Sequence, residues 1–199
     1  EPPGRGDLEQ ALAALQTGAV GPSRIRLTAA AGRTVIGERV PAAELPVSPA
    51  SLRATLMLGE WAPGRTTGEH KTLSYLPYRD CARRAVEGGA DTAILTDSHG
   101  RLGESDRGNL IAVIDGRALT PPVRGILPGI ARSWALEARD LAEEPVTAAE
   151  RERATEVVMC NAVEGFAAVT TIDGVAVGDG APGPWVRATQ ERFSALFAP

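Results

Sequence analysis

The chain has 199 residues, 21 Lys+Arg against 25 Asp+Glu, a net charge of −4 and 43% hydrophobic residues. That is one domain, or one large domain with an appendage, with enough apolar side chain for a sizeable core. The acidic balance and the scattering of arginines among acids argue against a nucleic-acid partner. No apolar run approaches the ~18 residues of a membrane span, and the two histidines, His70 and His99, are too few for a typical metal site.

In chain order, residues 1–6 read as a loop. Asp7 is placed to cap a short helix over 8–16, which Gly18 stops. Residues 24–28 alternate at period 2, the pattern of a half-buried strand. Residues 32–51 carry Gly, Pro and Ser at short intervals and read as a mobile loop. A second strand is expected over 52–58, and a turn-rich approach over 61–68. A helix over 76–86 ends at Gly88-Gly89. Strands follow over 91–96 and 109–114, with a return over 101–104 between them. Asp115-Gly116 marks a tight hairpin turn before a return over 117–120. Helices are expected over 129–141 and over 147–154, the second opened by a Thr147…Glu150 capping box. A strand over 156–160, a hairpin over 166–177 turned by Asp173-Gly174, and an amphipathic helix over 184–197 complete the chain. The irregular alternation of strands and helices predicts a mixed α/β (α+β) fold with hairpins, not a doubly wound parallel sheet.

Lys71 is the only lysine; the other 20 basic residues are arginine. An arginine cannot lose its proton and attack a carbonyl, so the one retained lysine is the first place to look for covalent chemistry. Three further stretches stand out. Gly103-Glu104 places an acid at a strand end before a tight loop. Gly129-Ile130-Ala131-Arg132 is a glycine-bearing turn that opens a helix. Met159-Cys160-Asn161-Ala162 runs a strand into a loop. A lysine amine can condense with an aldehyde, a carboxylate can hold a pyridine nitrogen protonated, and a helix N-terminus can bind phosphate. Together these describe a site for pyridoxal 5'-phosphate. Taken singly, Glu104 is also a solvated turn acid, Gly129 a plain helix start and Asn161 a turn residue. Cys81 and Cys160 match no metal or redox spacing and read as buried packing thiols of a reducing, cytoplasmic compartment.

The ordered motifs Lys71-Thr72-Leu73-Ser74-Tyr75, Gly103-Glu104 with Asn109-Leu110, Thr120-Pro121-Pro122, Leu127-Pro128-Gly129-Ile130 and Asp179-Gly180 resemble the class IV (fold-type IV) pyridoxal-phosphate enzymes. The resemblance implies a large C-terminal domain with a pseudo-barrel sheet and flanking helices over 63–199. Residues 1–62 are then the remainder of a largely absent N-terminal small domain and a linker. The chain opens on Glu1 rather than methionine, so it is read as processed, cut or partial. In the family Lys71 forms the Schiff base, Glu104 contacts the pyridine nitrogen, and Gly129, Ile130 and Ala131 bind phosphate. Asn161 and Ala162 supply further phosphate contacts. Ala131 stands where many members have threonine, leaving only backbone N–H groups there. Tyr75 either hydrogen-bonds the phenolic oxygen of the cofactor or is a core tyrosine. Arg132 is expected as a helix-surface ion pair, and Asp106 and Arg107 to face a neighbouring subunit or solvent. The site is expected to hold no metal.

The Cys160-Asn161-Ala162 form resembles aminodeoxychorismate lyase, which implies conversion of 4-amino-4-deoxychorismate to 4-aminobenzoate and pyruvate. The alternatives are an aminotransferase of branched-chain or D-amino-acid type and a non-catalytic truncated homologue acting as a dimerisation module. The implied partners are a small-molecule amino substrate and a second copy in a homodimer, with no nucleic acid and no membrane.

Overall fold

A computed structural model describes residues 1–19, 21–41, 44, 49–61 and 66–197. The chain divides into two compact units, Glu1–Val47 and Ser48–Pro199. The division falls at 47/48 rather than 62/63 because the strand at Ser51–Met57 hydrogen-bonds into the sheet of the second unit.

The first unit is helix α1 (Arg5–Gln16) with an antiparallel hairpin of β1 (Ser23–Ala30) and β2 (Thr34–Pro41). Asp7 sits inside α1 rather than before it, and its carboxylate accepts the Gly4 N–H at 2.8 Å. β2 corrects the expected mobile loop. Its Thr, Val and Ile residues suit an extended chain, and Gly37, which had read as a breaker, makes room for Leu15 of α1. Residues 42–43 and 45–48 of that expectation, and 62–65 of the expected turn-rich approach, lie outside the described residues.

Among the described residues, the second unit is built on nine strands. They are β3 (Ser51–Met57), β4 (Thr92–Thr96), β5 (Leu102–Ser105), β6 (Asn109–Ile114), β7 (Arg117–Thr120), β8 (Leu141–Glu143), β9 (Glu156–Asn161), β10 (Gly165–Ile172) and β11 (Val175–Ala176). β10 pairs with β3, β3 with β4, β4 with β5 and β5 with β6. β9 then bridges β6 to β10 and closes the ring. Six strands therefore form a barrel, with β7, β8 and β11 as extensions. The mixed α/β fold with a pseudo-barrel sheet is thus present.

Period-2 side-chain alternation fills both sides of this wall. Leu52, Ile94, Leu102, Leu110, Val157, Met159 and Val169, drawn from all six ring strands, form one buried cluster. The alternate residues Ile111, Val158, Cys160 and Phe166 pack against α3 (Ile130–Ala138) and α5 (Pro184–Ala195). Ala93 and Leu95 pack against α2 (Leu76–Glu87) through Cys81 and Ala85. Each fully buried large apolar side chain contributes about 1.5–3 kcal/mol. The Asp115-Gly116 turn has φ of 50° and 77°, the left-handed pair that a two-residue hairpin needs. Thr147 and Glu150 form the expected capping box at the start of α4 (Ala148–Glu152). The helix expected to run to 141 stops at Ala138, because Leu141 pairs in parallel with Ala118 as part of β8. Among the described residues no helix is long and apolar enough to cross a membrane.

Candidate active site

The β5–β6 loop is tied into itself. The Ser105 N–H donates to the Gly108 carbonyl at 2.7 Å, and the Ser105 hydroxyl accepts the Gly108 N–H at 2.9 Å. Asp106 is buried and accepts the Ala93 N–H at 2.8 Å and the Thr92 hydroxyl at 2.5 Å. Arg107 donates to the Asp91 carbonyl at 2.9 Å and to Glu164 at 3.3 Å. Asp106 is therefore turned inward rather than toward solvent, whereas Arg107 is exposed as expected, and both brace the loop that follows Glu104.

Glu104 is the next-to-last residue of β5, with 5% of its surface exposed. The Tyr78 hydroxyl donates to its Oε1 at 2.6 Å, and the Leu127 N–H donates to its Oε2 at 3.2 Å. Asn109 Nδ2 in turn donates to the Leu127 carbonyl at 2.8 Å. Burial pushes the carboxyl above its ordinary value, while Tyr78, the Leu127 N–H and the charge of Lys71 pull the other way. Gly103 beside it must be glycine, since a Cβ there would lie 2.5 Å from the Trp61 ring.

Lys71 follows a short 3₁₀ turn, Thr66–Glu69, whose Glu69 carboxylate accepts the Gly125 N–H at 3.2 Å. The lysine is exposed. Its Nζ donates to the Tyr75 hydroxyl at 3.0 Å and lies 5.5 Å from the centre of that ring. Tyr75 is the N-cap of α2, and Tyr78 in the first turn of the same helix stacks obliquely on it, with ring centres 5.7 Å apart. One helix start therefore presents one phenol to the lysine and another to the buried acid.

Gly129 is the N-cap of α3 and has no side chain to cap it, so among the described residues the first N–H groups of the helix have no side-chain cap. A Cβ at Gly129 would overlap the Asn109 side chain. Ile130 is exposed, and Ala131 is buried in the packing between α3 and the sheet. Arg132 is an ion pair but not a surface one. Its guanidinium is buried against Glu143, and it donates to the Pro121 carbonyl at 2.8 Å and the Thr120 hydroxyl at 3.2 Å. Asn161 Oδ1 accepts the Val163 and Glu164 N–H groups at 2.9 and 2.8 Å, and its Nδ2 donates to Glu164 at 2.8 Å. Its side chain thus holds the loop that Ala162 belongs to. The buried thiol of Cys160 is pushed up to about 12 by burial, which keeps it a packing group.

A cavity of about 620 Å³ gathers Lys71, Tyr75, Glu104, Gly129, Ile130, Asn161 and Ala162; Ala131 lies behind its wall. That volume suits a small organic ligand. Tyr78 and Trp61 also line it, and the sequence reading missed both. A three-residue offset from Tyr75 on one helix was the available signal for Tyr78. The arrangement offers an amine that can react with a carbonyl, a buried carboxylate that can hold a proton on a ring nitrogen, and a helix N-terminus that can hold an anion.

The chain belongs to the amino-transferase class IV family, which matches residues 5–172. It is 32% identical to the branched-chain-amino-acid aminotransferase of Escherichia coli K12 over 115 residues, which is 55% of this chain and 37% of that protein. It is 32% identical over 112 residues to branched-chain-amino-acid aminotransferase-like protein 1 of Arabidopsis thaliana, covering 54% of this chain and 20% of that protein. The matched stretch is well under two thirds of the length of these relatives. Among solved structures, the E. coli branched-chain enzyme superposes over 97% of this chain and 72% of its own, with a TM-score of 0.82 at 24% identity. The branched-chain aminotransferase of Thermobaculum terrenum, solved in its PLP form, covers 82% of this chain and 56% of its own, with a TM-score of 0.71 at 23% identity. The expected leaning toward aminodeoxychorismate lyase has no counterpart among these relatives, which are named for branched-chain amino acids.

Proposed function

We propose that this chain forms the pyridoxal-phosphate half of a class IV aminotransferase acting on small amino acids of the branched-chain type. The observation that carries the reading is the single cavity holding the only lysine, a buried carboxylate and an uncapped helix N-terminus. The donor set fits pyridoxal phosphate. Lys71 is the amine that would meet its aldehyde carbon, Glu104 would accept the ring N–H, and the start of α3 with the Asn161–Ala162 loop would receive the phosphate. The cofactor supplies the electron sink for chemistry at the substrate Cα. Lys71 removes and returns the Cα proton, Tyr75 orients the lysine amine, and Glu104 keeps its acceptor lone pairs toward the cavity. The carboxylate has about four acceptor positions, and Tyr78 and the Leu127 N–H occupy two. Little of the acid itself is left accessible to water.

The test is uptake of added pyridoxal phosphate by the purified chain, read as a yellow absorbance that borohydride bleaches. A branched-chain amino acid plus 2-oxoglutarate should then yield glutamate. Pyruvate released from 4-amino-4-deoxychorismate without an amino acceptor would restore the lyase reading that the Cys160-Asn161-Ala162 loop favours. A chain that takes up no cofactor would leave the non-catalytic reading. We also infer a homodimer, to be checked by light scattering.

A further inference from the structure

We propose that Tyr78 is a positioning residue, whose hydroxyl fixes the rotamer of the Glu104 carboxylate so that its remaining lone pairs face the cavity. The inference rests on the cofactor reading above, in that the ring nitrogen is what those lone pairs meet.

The geometry separates Tyr78 from an ordinary core tyrosine. Its ring, like that of Trp61, packs against the apolar cluster under α2, while its hydroxyl reaches the acid at 2.6 Å. Glu104 is clamped from two elements at once, by α2 through Tyr78 and by the loop before α3 through the Leu127 N–H. The two donors hold different oxygens, which sets the plane of the carboxylate as well as its place. The donor from Tyr78 also favours the ionised form in a buried setting that otherwise disfavours it. Lys71 and Tyr78 are the ionisable groups that act on Glu104 here. Asp106, two residues on, is turned away onto Thr92 and Ala93. A carboxylate that turned would aim its lone pairs elsewhere, and one that took up a proton would lose the charge that strengthens its bond to a ring N–H. Tyr78 guards against both.

The test begins on the cofactor-free protein, so that it stands even if the cofactor reading fails. With ¹³C-labelled glutamate side chains and Glu104→Gln to assign the signal, the carboxyl of Glu104 is titrated by NMR. Tyr78→Phe keeps the ring and removes the donor, and the midpoint should move up. Tyr75→Phe should leave it in place. If Tyr78→Phe fails to fold, the chain offers a second route, because Tyr75 and Tyr78 are its only tyrosines. In a Tyr75→Phe background, global feeding of fluorotyrosine labels position 78 alone with a stronger donor, and the midpoint should move down. A midpoint that moves with neither change would overturn the proposal. In protein that takes up pyridoxal phosphate, Tyr78→Phe should also weaken retention roughly tenfold, the loss expected for one hydrogen bond to a charged group. A wild type that takes up no cofactor would instead sink the cofactor reading, while the titration still decides the role of Tyr78.

Discussion

The two reactive sides of the cavity are held in opposite ways. Glu104 lies near the end of a barrel strand, is almost wholly buried, and has both oxygens occupied by donors from distant parts of the chain. Lys71 lies in an irregular segment, is exposed, and is held by a tyrosine four residues on. The acid is placed by tertiary structure and the amine by local structure. A group that must stay put sits in the wall, whereas a group that must form and break a covalent bond keeps room around it.

Lys71→Ala is the sharpest break. Turnover should fall by about 10²- to 10⁴-fold, the range for losing a positioned acid–base group, and the borohydride-sensitive absorbance should vanish. Stability in chemical denaturation should stay within about 0.5 kcal/mol, because the side chain is exposed. The acid wall should behave in the reverse way. Gly103→Ala drives a methyl group into the Trp61 ring and should cost about 1–3 kcal/mol of stability. The same measurement on Leu73→Ala, at an exposed position two residues from the lysine, should move by less than about 0.5 kcal/mol.

The pH dependence of stability separates the two sides further. The folded carboxyl of Glu104 titrates above its ordinary 4.5. Between that value and the raised one, the folded protein holds more protons than the unfolded chain, so stability falls as pH rises through the window. Thermal melting across that range should show the decline in wild type and lose this component in Glu104→Gln. The smallest effect is expected from Tyr75→Phe, which removes one hydrogen bond to an exposed amine. That loss is worth about 0.5–1.5 kcal/mol, or roughly two- to tenfold in turnover by steady-state kinetics.

The same contrast explains what could be read before the fold was known. Lys71 and Tyr75 are four residues apart and announce themselves in composition and spacing. The hairpin turns at Asp115-Gly116 and Asp173-Gly174 and the box at Thr147 and Glu150 are likewise local signals. Tyr78 and Glu104 are 26 residues apart, and no local pattern pairs them. β2 was hidden by Gly37, which is there for Leu15 of α1 and not for a turn. β8 was hidden because three residues are too few for a period, and only the parallel partner β7 makes them a strand. The burial of Arg132 follows from that same small strand, whose Glu143 receives the guanidinium.

The closure of the barrel through β9 also governs which backbones are left to recruit strangers. Every strand in the ring has neighbours on both sides, and the sheet ends among the described residues in β11, with two residues, and β8, with three. Strands so short are poor templates for an added chain. The hairpin of β1 and β2 is different: eight residues long in each strand and paired on one side only within its own two-stranded sheet. Among the described residues, the longest strands with an unpaired side are therefore those of the first unit, while the unit that carries the cavity closes its long strands into a ring.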